Sequence, residues 1–592
     1  MNNLSFFFRN FLIWVSFLST LGALFILFKK LFKKLNKSDL VLISTIWIAA
    51  LFSRIRYGLF APWRPEAHHV HLFENLISNL ESSFLITEYR YMASGGFFEF
   101  IFGIPLHLSS EFSVYTVYYT SLAIHMLMGL LVFMLGYNLF KRKDISYTSL
   151  LIFSFTPILI NISATSIVFT ITSFSLLLLF NFGIYFWEKE KNKPLDSFLL
   201  IGLIISVLLG RKEVMTLTVF GTPFILLFLA YLNKDQVVKK IIKNKSLIAS
   251  SLLFIAACFF FVFEAMVPHL AREVGFRIGN LTQQSQFGVH LNFFRYFSPN
   301  ELSHTPFFKS FTTPLYFFIL LNLFPIVLVI KKRWFLLFLN SLFLGLMLLV
   351  ANPNLADFRR VMPFLLIYIP QMAYALHFIF DKIKIKPKHA LILSALLIVP
   401  STYQNQYFLE AEIGRKIEQD LVIEVFEDYI PENSLIITTH APHEGHEGND
   451  QLDIERVNDD YKYSQGGMLF NTYLMPKDKN IKLIDKYLQY RPEILDELME
   501  DFDNIFYYKT LYSHHGSWRG CKNDCKNEDN LQPYEATKKF ISNHKLTPIR
   551  TKVIRNRSYN YGLKDHFIKG ANYEIDAKGE LKTGLYRVEG LK

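Results

Sequence analysis

Cysteine is nearly absent from this sequence, with three residues among 592. Cys258 lies in an apolar run, whereas Cys521 and Cys525 flank the polar segment Lys-Asn-Asp. So few cysteines exclude a disulfide-rich scaffold, and two neighbouring cysteines without a second pair make a poor zinc site. A local disulfide between Cys521 and Cys525, in an oxidising compartment, and two free thiols both stay open.

Charged residues are also scarce, at 19% of the chain, whereas 51% is hydrophobic and 16% is aromatic. Soluble domains usually carry about 25% charged residues. The apolar residues are gathered into long runs, which a soluble core does not require. The composition therefore excludes an ordinary soluble protein and predicts a polytopic membrane protein.

The formal net charge of +12 combines two opposed segments. Residues 1–404 contain 36 Lys and Arg against 18 Asp and Glu, a net charge of +18, and residues 405–592 contain 26 against 32, a net charge of −6. We therefore predict a membrane domain over 1–404 and a soluble domain over 405–592. Because the excess positive charge belongs to the membrane domain, it is no sign of a nucleic-acid partner.

Apolar runs of about 17–25 residues, long enough to cross a bilayer, predict about twelve spans. They begin near Ser5, Asp39, Ser113, Ile145, Ser166, Leu195, Val214, Ser246, Thr312, Trp334, Val361 and Ala390. Short basic loops between alternate pairs are cytoplasmic by the positive-inside rule. The N-terminus, the loops at 58–112 and 268–311 and the tail are then extracytoplasmic, in a multi-pass protein of the inner or plasma membrane. The first run ends at Lys29-Lys30 without a small-residue cleavage site, so we expect a retained helix.

The tail alternates between strand-like and helical segments. Leu435 begins a short apolar strand, residues 483–502 have a helical pattern, and Asn504 to Thr510 predict a second buried strand. This alternation favours a small α/β domain, and the Tyr- and Gly-rich end from about Lys552 is typical of a β-meander.

Arginine is concentrated on the predicted outer side, whereas the cytoplasmic loops use lysine almost alone. The outer arginines are Arg54, Arg56, Arg64, Arg90, Arg211, Arg272, Arg277, Arg295, Arg359 and Arg360. The planar guanidinium group suits bidentate binding of phosphate or carboxylate, which indicates a phosphate ligand at this face. The alternatives are ion pairs with nearby acids such as Glu213 and Asp357, or contact with lipid headgroups.

The segment around Glu66 interrupts the apolar sequence. Pro65 fits the first position of a helix, and Glu66 then lies in the first turn, where the helix dipole favours an ionised carboxylate. Apolar residues from Val70 to Leu80 recur at helical spacing, which predicts a helix on the membrane surface. The alternative is that Glu66 is only a solvated residue at a helix start.

Three motifs on the predicted outer side resemble the C-type (GT-C) glycosyltransferases, over roughly residues 39–404. They are Arg64-Pro65-Glu66-Ala67 with its following helix, Gly210-Arg211-Lys212-Glu213, and Asp357-Phe358-Arg359-Arg360. These membrane enzymes take a sugar from a polyprenyl-phosphate carrier, and they include protein O-mannosyltransferases and lipid A aminoarabinose transferases.

The resemblance implies a membrane all-α fold: a polytopic GT-C-like helical bundle of about twelve spans with a C-terminal extracytoplasmic α/β domain. It implies transfer of a sugar from a polyprenyl-phosphate carrier to an extracytoplasmic glycan, lipid or protein acceptor. Glu66 is then the expected base and Glu88 the second catalytic candidate. The residues expected to hold the donor phosphate are Arg56, Arg211, Lys212, Arg359 and Arg360.

The sequence departs from the family pattern at Pro65, where relatives usually have the first aspartate of an acidic pair. Either Glu66 replaces that aspartate or the protein is an inactive scaffold of the same fold. An acid that binds metal in some relatives corresponds loosely to Glu88 or Glu99, so a divalent metal ion stays an open cofactor. The dense His, Glu and Asp cluster at 440–450 is more simply a polar loop than a metal site.

A transporter or flippase of a lipid-linked glycan is the competing functional class. It requires polar residues at mid-membrane depth and paired broken helices. The sequence has few of the former, and its charge gathers at the predicted outer face instead.

Overall fold

The computed structural model forms two compact units, Met1–Arg56 with Phe73–Gln404 and Tyr57–Leu72 with Asn405–Lys592. The residues that it describes are 2–60, 114–157, 159–160, 163, 167–189, 193–208, 315–334, 336–338, 340–341, 362–404, 421, 424–425, 428–438, 481–484, 502–509, 542–555 and 580–591.

The first unit is helical. Its helices are α1 (Asn2–Lys34), α2 (Lys37–Phe60), α3 (Val114–Phe140), α4 (Lys143–Phe155), α5 (Ile167–Glu188), α6 (Pro194–Leu208), α7 (Leu315–Ile330), α8 (Met362–Lys382) and α9 (Pro387–Ile398), followed by a 3₁₀ helix, Val399–Gln404. Each α-helix begins within three residues of a predicted apolar run. The runs predicted near Val214 and Ser246 lie outside the described residues, and only part of the run at Trp334 is described.

Within the described residues, three helical segments are long and apolar enough to cross a membrane: Trp14–Lys34, Lys37–Arg56 and Tyr118–Phe140. Their mean hydropathy is 1.6–1.8, and the backbone hydrogen bonds of a helix stay within the segment, as a hydrocarbon environment requires. These helices support a membrane location for the protein.

Small residues let neighbouring helices approach closely. At Gly202 in α6, an added Cβ would lie 2.4 Å from Cβ of Ser19 in α1. At Gly136 in α3, it would lie 3.2 Å from Cα of Ser146 in α4. Small residues of this kind are the usual means by which membrane helices bring their backbones into contact.

The basic turns that the structure describes gather at one end of the bundle, here called the lysine end: 35–36, 141–142, 331–333 and 383–386, together with residues 189 and 193 between α5 and α6. Lys143 after α3 lies 2.5 Å from Asp39 in the first turn of α2. Arg142 also reaches Asp381 at the end of α8, with Nη2 3.1 Å from Oδ1. Helices α2, α4, α6 and α9 therefore start at this end, and α3, α5, α7 and α8 finish there.

The opposite end, called the arginine end, is where α2 and α4 finish and α3 and α8 begin. Two contacts hold it together. Arg54 of α2 reaches the last turn of α4. The Ser401 hydroxyl in the 3₁₀ helix after α9 donates to the carbonyl of Phe155, also in the last turn of α4, at 3.1 Å.

The second unit contains a five-stranded mixed sheet. Its strands are β1 (Ser434–Thr438), β2 (Ile481–Ile484), β3 (Asn504–Lys509), β4 (His544–Arg555) and β5 (Glu580–Leu591), in the order β2-β1-β3-β5-β4. Strands β2, β1 and β3 are parallel, and β5 runs antiparallel to both β3 and β4. Central strands β1 and β3 bury Leu435 to Ile437 and Phe506 to Tyr508, as strands covered on both faces do.

Strand β4 forms an edge of this sheet, which explains the proline within it. Pro548 has no N–H to donate, a loss that only an edge position tolerates easily. The register shifts between Pro548 and Arg550, opposite Tyr586 and Leu585 of β5, and Gly584 pairs with the next residue, Thr551. Gly584 has φ +147°, and a Cβ there would lie 2.2 Å from the Arg550 carbonyl oxygen, so this close approach requires glycine.

An ion pair ties a short helical segment to the sheet. Glu424 forms ion pairs with two residues of β4: its carboxylate lies 2.7 Å from Arg550 Nε and 3.2 Å from Lys552 Nζ. Burial by itself would raise the pKa of Glu424, but these two cations outweigh it and lower the pKa below its ordinary value. Leu421 and Val425 on the same segment are fully buried.

Candidate functional site

The two arginines near the end of α2 face opposite directions. Ile43, Ile46, Ala50 and Arg54 follow each other at spacings of three and four residues and are all buried. Arg56 is exposed. Two residues correspond to about 200° around a helix, so one guanidinium group enters the bundle and the other leaves it.

Arg54 is fully buried and caps the C-terminus of α4. Its Nη2 donates to the carbonyl of Phe153 at 2.9 Å, and its Nη1 donates to the carbonyls of Ser154 at 3.0 Å and Ala50 at 3.4 Å. Carbonyls in the last turn of a helix have no partner within the helix and form the negative end of its dipole. The guanidinium group also lies over the Phe153 ring, 5.0 Å from its centroid.

Two side chains of α3 complete the surroundings of Arg54. The Tyr118 hydroxyl donates to the main-chain carbonyl of Arg54 at 2.7 Å. His125 is fully buried, with Nδ1 3.1 Å from the carbonyl of Ser121. Within the described residues, neither Arg54 Nε nor His125 Nε2 has a hydrogen-bond partner, and Arg54 has no carboxylate within 4 Å. The end of α4 therefore supplies the main compensation for this charge.

Of the residues expected to form the site, the structure describes Arg56 alone. Glu66, Glu88, Arg211, Lys212, Arg359 and Arg360 lie outside the described residues, as do Pro65 and Glu99. The expected catalytic and phosphate-binding roles stay predictions. The structure shows that Arg56 is exposed. It also shows that Arg54, one of the arginines predicted on the outer side, donates hydrogen bonds to main-chain carbonyls.

The helices that flank the expected site residues end or begin together. Helix α6 starts at the lysine end, where Asp196 pairs with Lys189 at 2.5 Å, so its last described residue, Leu208, points to the arginine end. Helix α8 finishes at the lysine end with Asp381, so Met362 begins it at the arginine end. Arg211 follows Leu208 by three residues, and Arg360 precedes Met362 by two.

No metal site can be assembled from the described residues. Among them, no three His, Cys, Asp or Glu side chains come together as a ligand set. The sequence candidates Glu88 and Glu99 and the cluster at 440–450 lie outside the described residues. The described part of the chain therefore offers no ligand set that fits a divalent ion.

An Asp–His–Thr arrangement occurs at the lysine end. His377 of α8 has Nε2 2.8 Å from Thr148 Oγ1 and Nδ1 3.2 Å from Asp144 Oδ2, both in α4. This is the order of groups in a nucleophilic triad. Thr148 and His377 are fully buried, however, so a substrate cannot reach the hydroxyl, and the arrangement joins α4 to α8.

Arg142 strengthens that junction electrostatically. The carboxylates of Asp144 and Asp381 raise the pKa of Arg142 further above its ordinary value. Burial by itself would raise the pKa of Asp144, but its contacts with His377 and Arg142 outweigh burial and hold the pKa well below its usual range. The ion pairs of Arg142 with Asp144 and Asp381 therefore hold the end of α8 against α4.

Comparison with known proteins gives remote structural similarities. No protein-family model and no curated protein matches the sequence. The archaeal oligosaccharyltransferase AglB from Archaeoglobus fulgidus, in complex with an inhibitory peptide and a dolichol-phosphate, is similar over 80% of this chain and 69% of that chain, at 12% identity and a TM-score of 0.43. The same oligosaccharyltransferase in complex with Zn and sulfate is similar over 80% and 68%, at 10% identity and a TM-score of 0.41.

ArnT from Cupriavidus metallidurans, bound to undecaprenyl phosphate, is similar over 81% of this chain and 94% of that chain, at 10% identity and a TM-score of 0.41. The resemblance is to C-type membrane glycosyltransferases. At 10–12% identity it transfers the role of no individual residue.

The burial of Arg54 was missed by the sequence reasoning, which grouped it with the other outer arginines. A signal for it was present, since Ile43, Ile46 and Ala50 form an apolar stripe that Arg54 continues by one further turn. Extending the stripe would have separated Arg54 from Arg56. The partner of Arg54, the end of α4, could not have been read from the sequence.

Proposed function

We propose that the protein transfers a sugar from a polyprenyl-phosphate carrier to an extracytoplasmic glycan, lipid or protein. Glu66 acts as the base and Glu88 is the second catalytic acid. The donor phosphate is held by Arg56, Arg211, Lys212, Arg359 and Arg360. In this proposal residues 1–404 form a bundle of about twelve spans, and residues 405–592 form an extracytoplasmic α/β domain.

The observation that carries the proposal is that the described helix ends next to the expected site residues lie at the end of the bundle opposite the lysine end. Arg56 is exposed in the last turns of α2, and the described ends of α6 and α8 point to the same end. Arg211 follows the described end of α6 by three residues, and Arg360 precedes the start of α8 by two. This supports a site that gathers cations from distant parts of the sequence at one end of the bundle.

Arg54 fixes the position of the last turns of α2 in this arrangement. Because it binds the carbonyls of α4 and is itself contacted by Tyr118, the last turns of α2 are held against two other helices. Glu66 follows Phe60, the end of α2, by six residues, which limits their separation to roughly 20 Å. Arg54 is therefore a positioning residue in the proposal and does not bind the substrate.

The proposed reaction is a displacement at the anomeric carbon of the donor sugar. Glu66 accepts the proton of the acceptor hydroxyl, whose oxygen forms a bond to the anomeric carbon. The bond from that carbon to the phosphate oxygen of the carrier breaks, and the phosphate leaves with the electron pair. Guanidinium groups stabilise the negative charge that develops on the leaving phosphate. The carriers in the similar structures, dolichol-phosphate and undecaprenyl phosphate, belong to the same chemical class.

The test compares glycan and lipid profiles of cells that contain the wild-type protein, Glu66→Gln, Arg56→Ala or the control Glu74→Gln, at equal protein levels. Glu74 belongs to the same predicted surface helix, without a proposed role. Loss of a general base typically costs 10²–10⁴-fold in rate, so Glu66→Gln should abolish the transferred sugar while Glu74→Gln should not. Arg56→Ala should weaken use of the donor, so its defect should diminish when carrier biosynthesis is increased.

Two outcomes would overturn the proposal. Equal sugar transfer by wild type and Glu66→Gln would remove Glu66 as the base. Accumulation of lipid-linked intermediates on the inner leaflet in the absence of the protein, with the same sugar still transferred by another enzyme, would favour a flippase instead. An inactive scaffold predicts that every variant, including Glu66→Gln, behaves as the wild type does.

A further inference from the structure

Two helices end at the lysine end in the same unusual way. After α7, the N–H of Arg333 donates to the carbonyl of Leu328 and the N–H of Lys332 donates to that of Val329. After α8, the N–H of Ile385 donates to Phe380 and that of Lys384 to Asp381. Both pairs of bonds form a Schellman motif, whose C′ residue takes a left-handed conformation and is usually glycine. Here the C′ residues are Lys332, with φ 53°, and Lys384, with φ 60°.

A lysine in this conformation costs about 1–2 kcal/mol that a glycine would not. Attraction between the cation and the helix C-terminus returns about 0.3–1 kcal/mol at an exposed site, which does not fully offset the backbone cost. The helix C-terminus alone therefore does not account for lysine in place of glycine at these two positions.

Within the described residues, no carboxylate of the protein compensates for the remaining cost. Six exposed cations occupy the two turns, and no carboxylate lies within 4 Å of any of them. This set, called the basic rim, consists of Lys331, Lys332, Arg333, Lys382, Lys384 and Lys386. The nearby carboxylate, Asp381, is engaged by Arg142.

The turn between α3 and α4 shows the opposite arrangement. It also contains a left-handed lysine, Lys141, with φ 55°. All three of its cations have carboxylate partners: Lys141 contacts Glu188, Arg142 contacts Asp144 and Asp381, and Lys143 contacts Asp39. The turn between α1 and α2 has unpaired lysines too, but they take regular helical backbone, so no strain accompanies them.

Aromatic and aliphatic side chains surround the basic rim in the pattern of a membrane interface. Lys331 and Lys382 lie over the same ring, that of Phe378, at 5.0 Å and 5.7 Å from its centroid, which joins the two turns into one surface. Next to the cations, Trp334 is 63% exposed and Ile383 is 61% exposed. Exposed tryptophan beside lysine and arginine is typical of the headgroup region of a bilayer.

We propose that the basic rim is a binding surface for the phosphate headgroups of anionic membrane phospholipids, with Lys332 and Lys384 as its central contacts and Trp334 and Ile383 inserted beside them. Anionic headgroups supply the negative charge that no described carboxylate gives to these turns. The surface is at the opposite end of the bundle from the proposed sugar-transfer site, and the proposal does not depend on that activity.

The test titrates the full-length protein, purified in a neutral detergent, with phosphatidylglycerol and separately with phosphatidylcholine, and counts bound lipid by native mass spectrometry. The variant is the double substitution Lys332→Gly and Lys384→Gly, which keeps and relaxes the backbone conformation. A basic residue near an anionic surface contributes roughly fivefold in affinity, so the double variant should bind phosphatidylglycerol roughly 25-fold more weakly. Phosphatidylcholine binding should not change.

Two controls separate lipid binding from helix capping. Lys141→Gly removes a left-handed lysine that is already paired, and it should leave phosphatidylglycerol affinity within about twofold. The double substitution Lys332→Arg and Lys384→Arg keeps the charge and should keep the affinity. Phosphatidylglycerol affinity that is the same in the glycine double variant and the wild type would overturn the proposal. So would displacement of the lipid by polyglutamate at equal charge concentration, which would indicate an acidic protein partner instead.

Discussion

The hydroxyl of Tyr118 in α3 donates a 2.7 Å hydrogen bond to the main-chain carbonyl of Arg54 in α2, and both residues are buried. Arg54 in turn donates to carbonyls at the end of α4. Helices α2, α3 and α4 thus meet at the arginine end through the side chain and the main-chain carbonyl of Arg54. In the interior of a membrane protein, where water cannot replace a lost partner, such a junction fixes how the helices end.

The first prediction concerns the hydroxyl alone. Tyr118→Phe removes one buried hydrogen bond without changing the ring, and it should lower the free energy of unfolding by about 1 kcal/mol. Tyr119→Phe is the matched control, because Tyr119 is the adjacent residue and is exposed, and its effect should stay within about 0.5 kcal/mol. Denaturant unfolding in detergent micelles measures both. Equal losses in the two variants would mean that the Tyr118 hydroxyl contributes nothing specific.

The second prediction concerns the guanidinium group. Arg54→Gln cannot make the three bonds to Phe153, Ser154 and Ala50 and leaves carbonyls of α4 without partners. Hydrogen bonds from a charged donor contribute about 1.5–3 kcal/mol each, partly offset here by removal of a buried charge, so we expect a net loss of about 2–4 kcal/mol.

Arg56→Gln is the control for Arg54→Gln in the same unfolding measurement. Because Arg56 is exposed on the other face of α2, its replacement should leave stability within about 0.5 kcal/mol. Greater instability of Arg56→Gln than of Arg54→Gln would contradict the assignment of the capping role to Arg54.

Helix positions followed from the sequence because apolar runs are a strong local signal. The observed helices begin within three residues of the predicted runs, for example at Val114 where Ser113 was predicted. Of the short basic loops that the positive-inside rule places on one side, those that the structure describes gather at one end of the bundle, whereas the loop at 234–245 lies outside the described residues. The cap formed by Arg54 was not predicted, because its acceptors in α4 are main-chain carbonyls about 100 residues away. Every residue has such a carbonyl, so the sequence does not indicate which one accepts.

Short segments of the tail were harder to interpret. The strands beginning near Leu435 and at Asn504 were predicted and are present as β1 and β3. Leu483 was placed in a helical segment, but with Ile484 it lies in strand β2. A run of four residues, Ile481 to Ile484, is too short for periodicity to separate helix from strand, and only its pairing with β1 decides the outcome. The catalytic candidates Glu66 and Glu88 stay predictions from sequence.

The third prediction is a pH dependence in the second unit. Because the pKa of Glu424 is lower in the folded protein than its ordinary value of 4.5, the ion pair with Arg550 and Lys552 stabilises the fold above that pH. The stabilisation is lost as the pH falls through the lowered, folded-state pKa. Both partners are partly exposed, so Glu424→Gln should cost only about 0.5–1 kcal/mol at pH 7, and its cost should fall progressively as the pH drops through the lowered pKa of Glu424.

Hydrogen exchange of the β4 amides in the full-length protein measures this effect, after correction for the intrinsic pH dependence of exchange. Asp428→Asn serves as the control, because Asp428 lies on the same segment and is exposed. Its replacement should leave β4 protection unchanged at pH 7. A difference between wild type and Glu424→Gln that grows as the pH falls would have the wrong sign for this ion pair.

The last prediction tests how closely α1 and α6 pack. A Cβ at Gly202 would lie 1.9 Å from Ser19 Oγ, 2.4 Å from Ser19 Cβ and 3.0 Å from the Val15 carbonyl oxygen. Rotation of the Ser19 hydroxyl relieves only the first of these contacts, so the two backbones must separate. Gly202→Ala should therefore destabilise the protein by about 1–3 kcal/mol. A Cβ added at Gly183 in α5 would have no atom within 4 Å. Gly183→Ala should therefore be neutral or stabilise the protein by up to about 1 kcal/mol through helix propensity. Denaturant unfolding of both variants under one set of conditions measures the difference. A Gly202→Ala protein as stable as Gly183→Ala would contradict the close packing of α1 against α6.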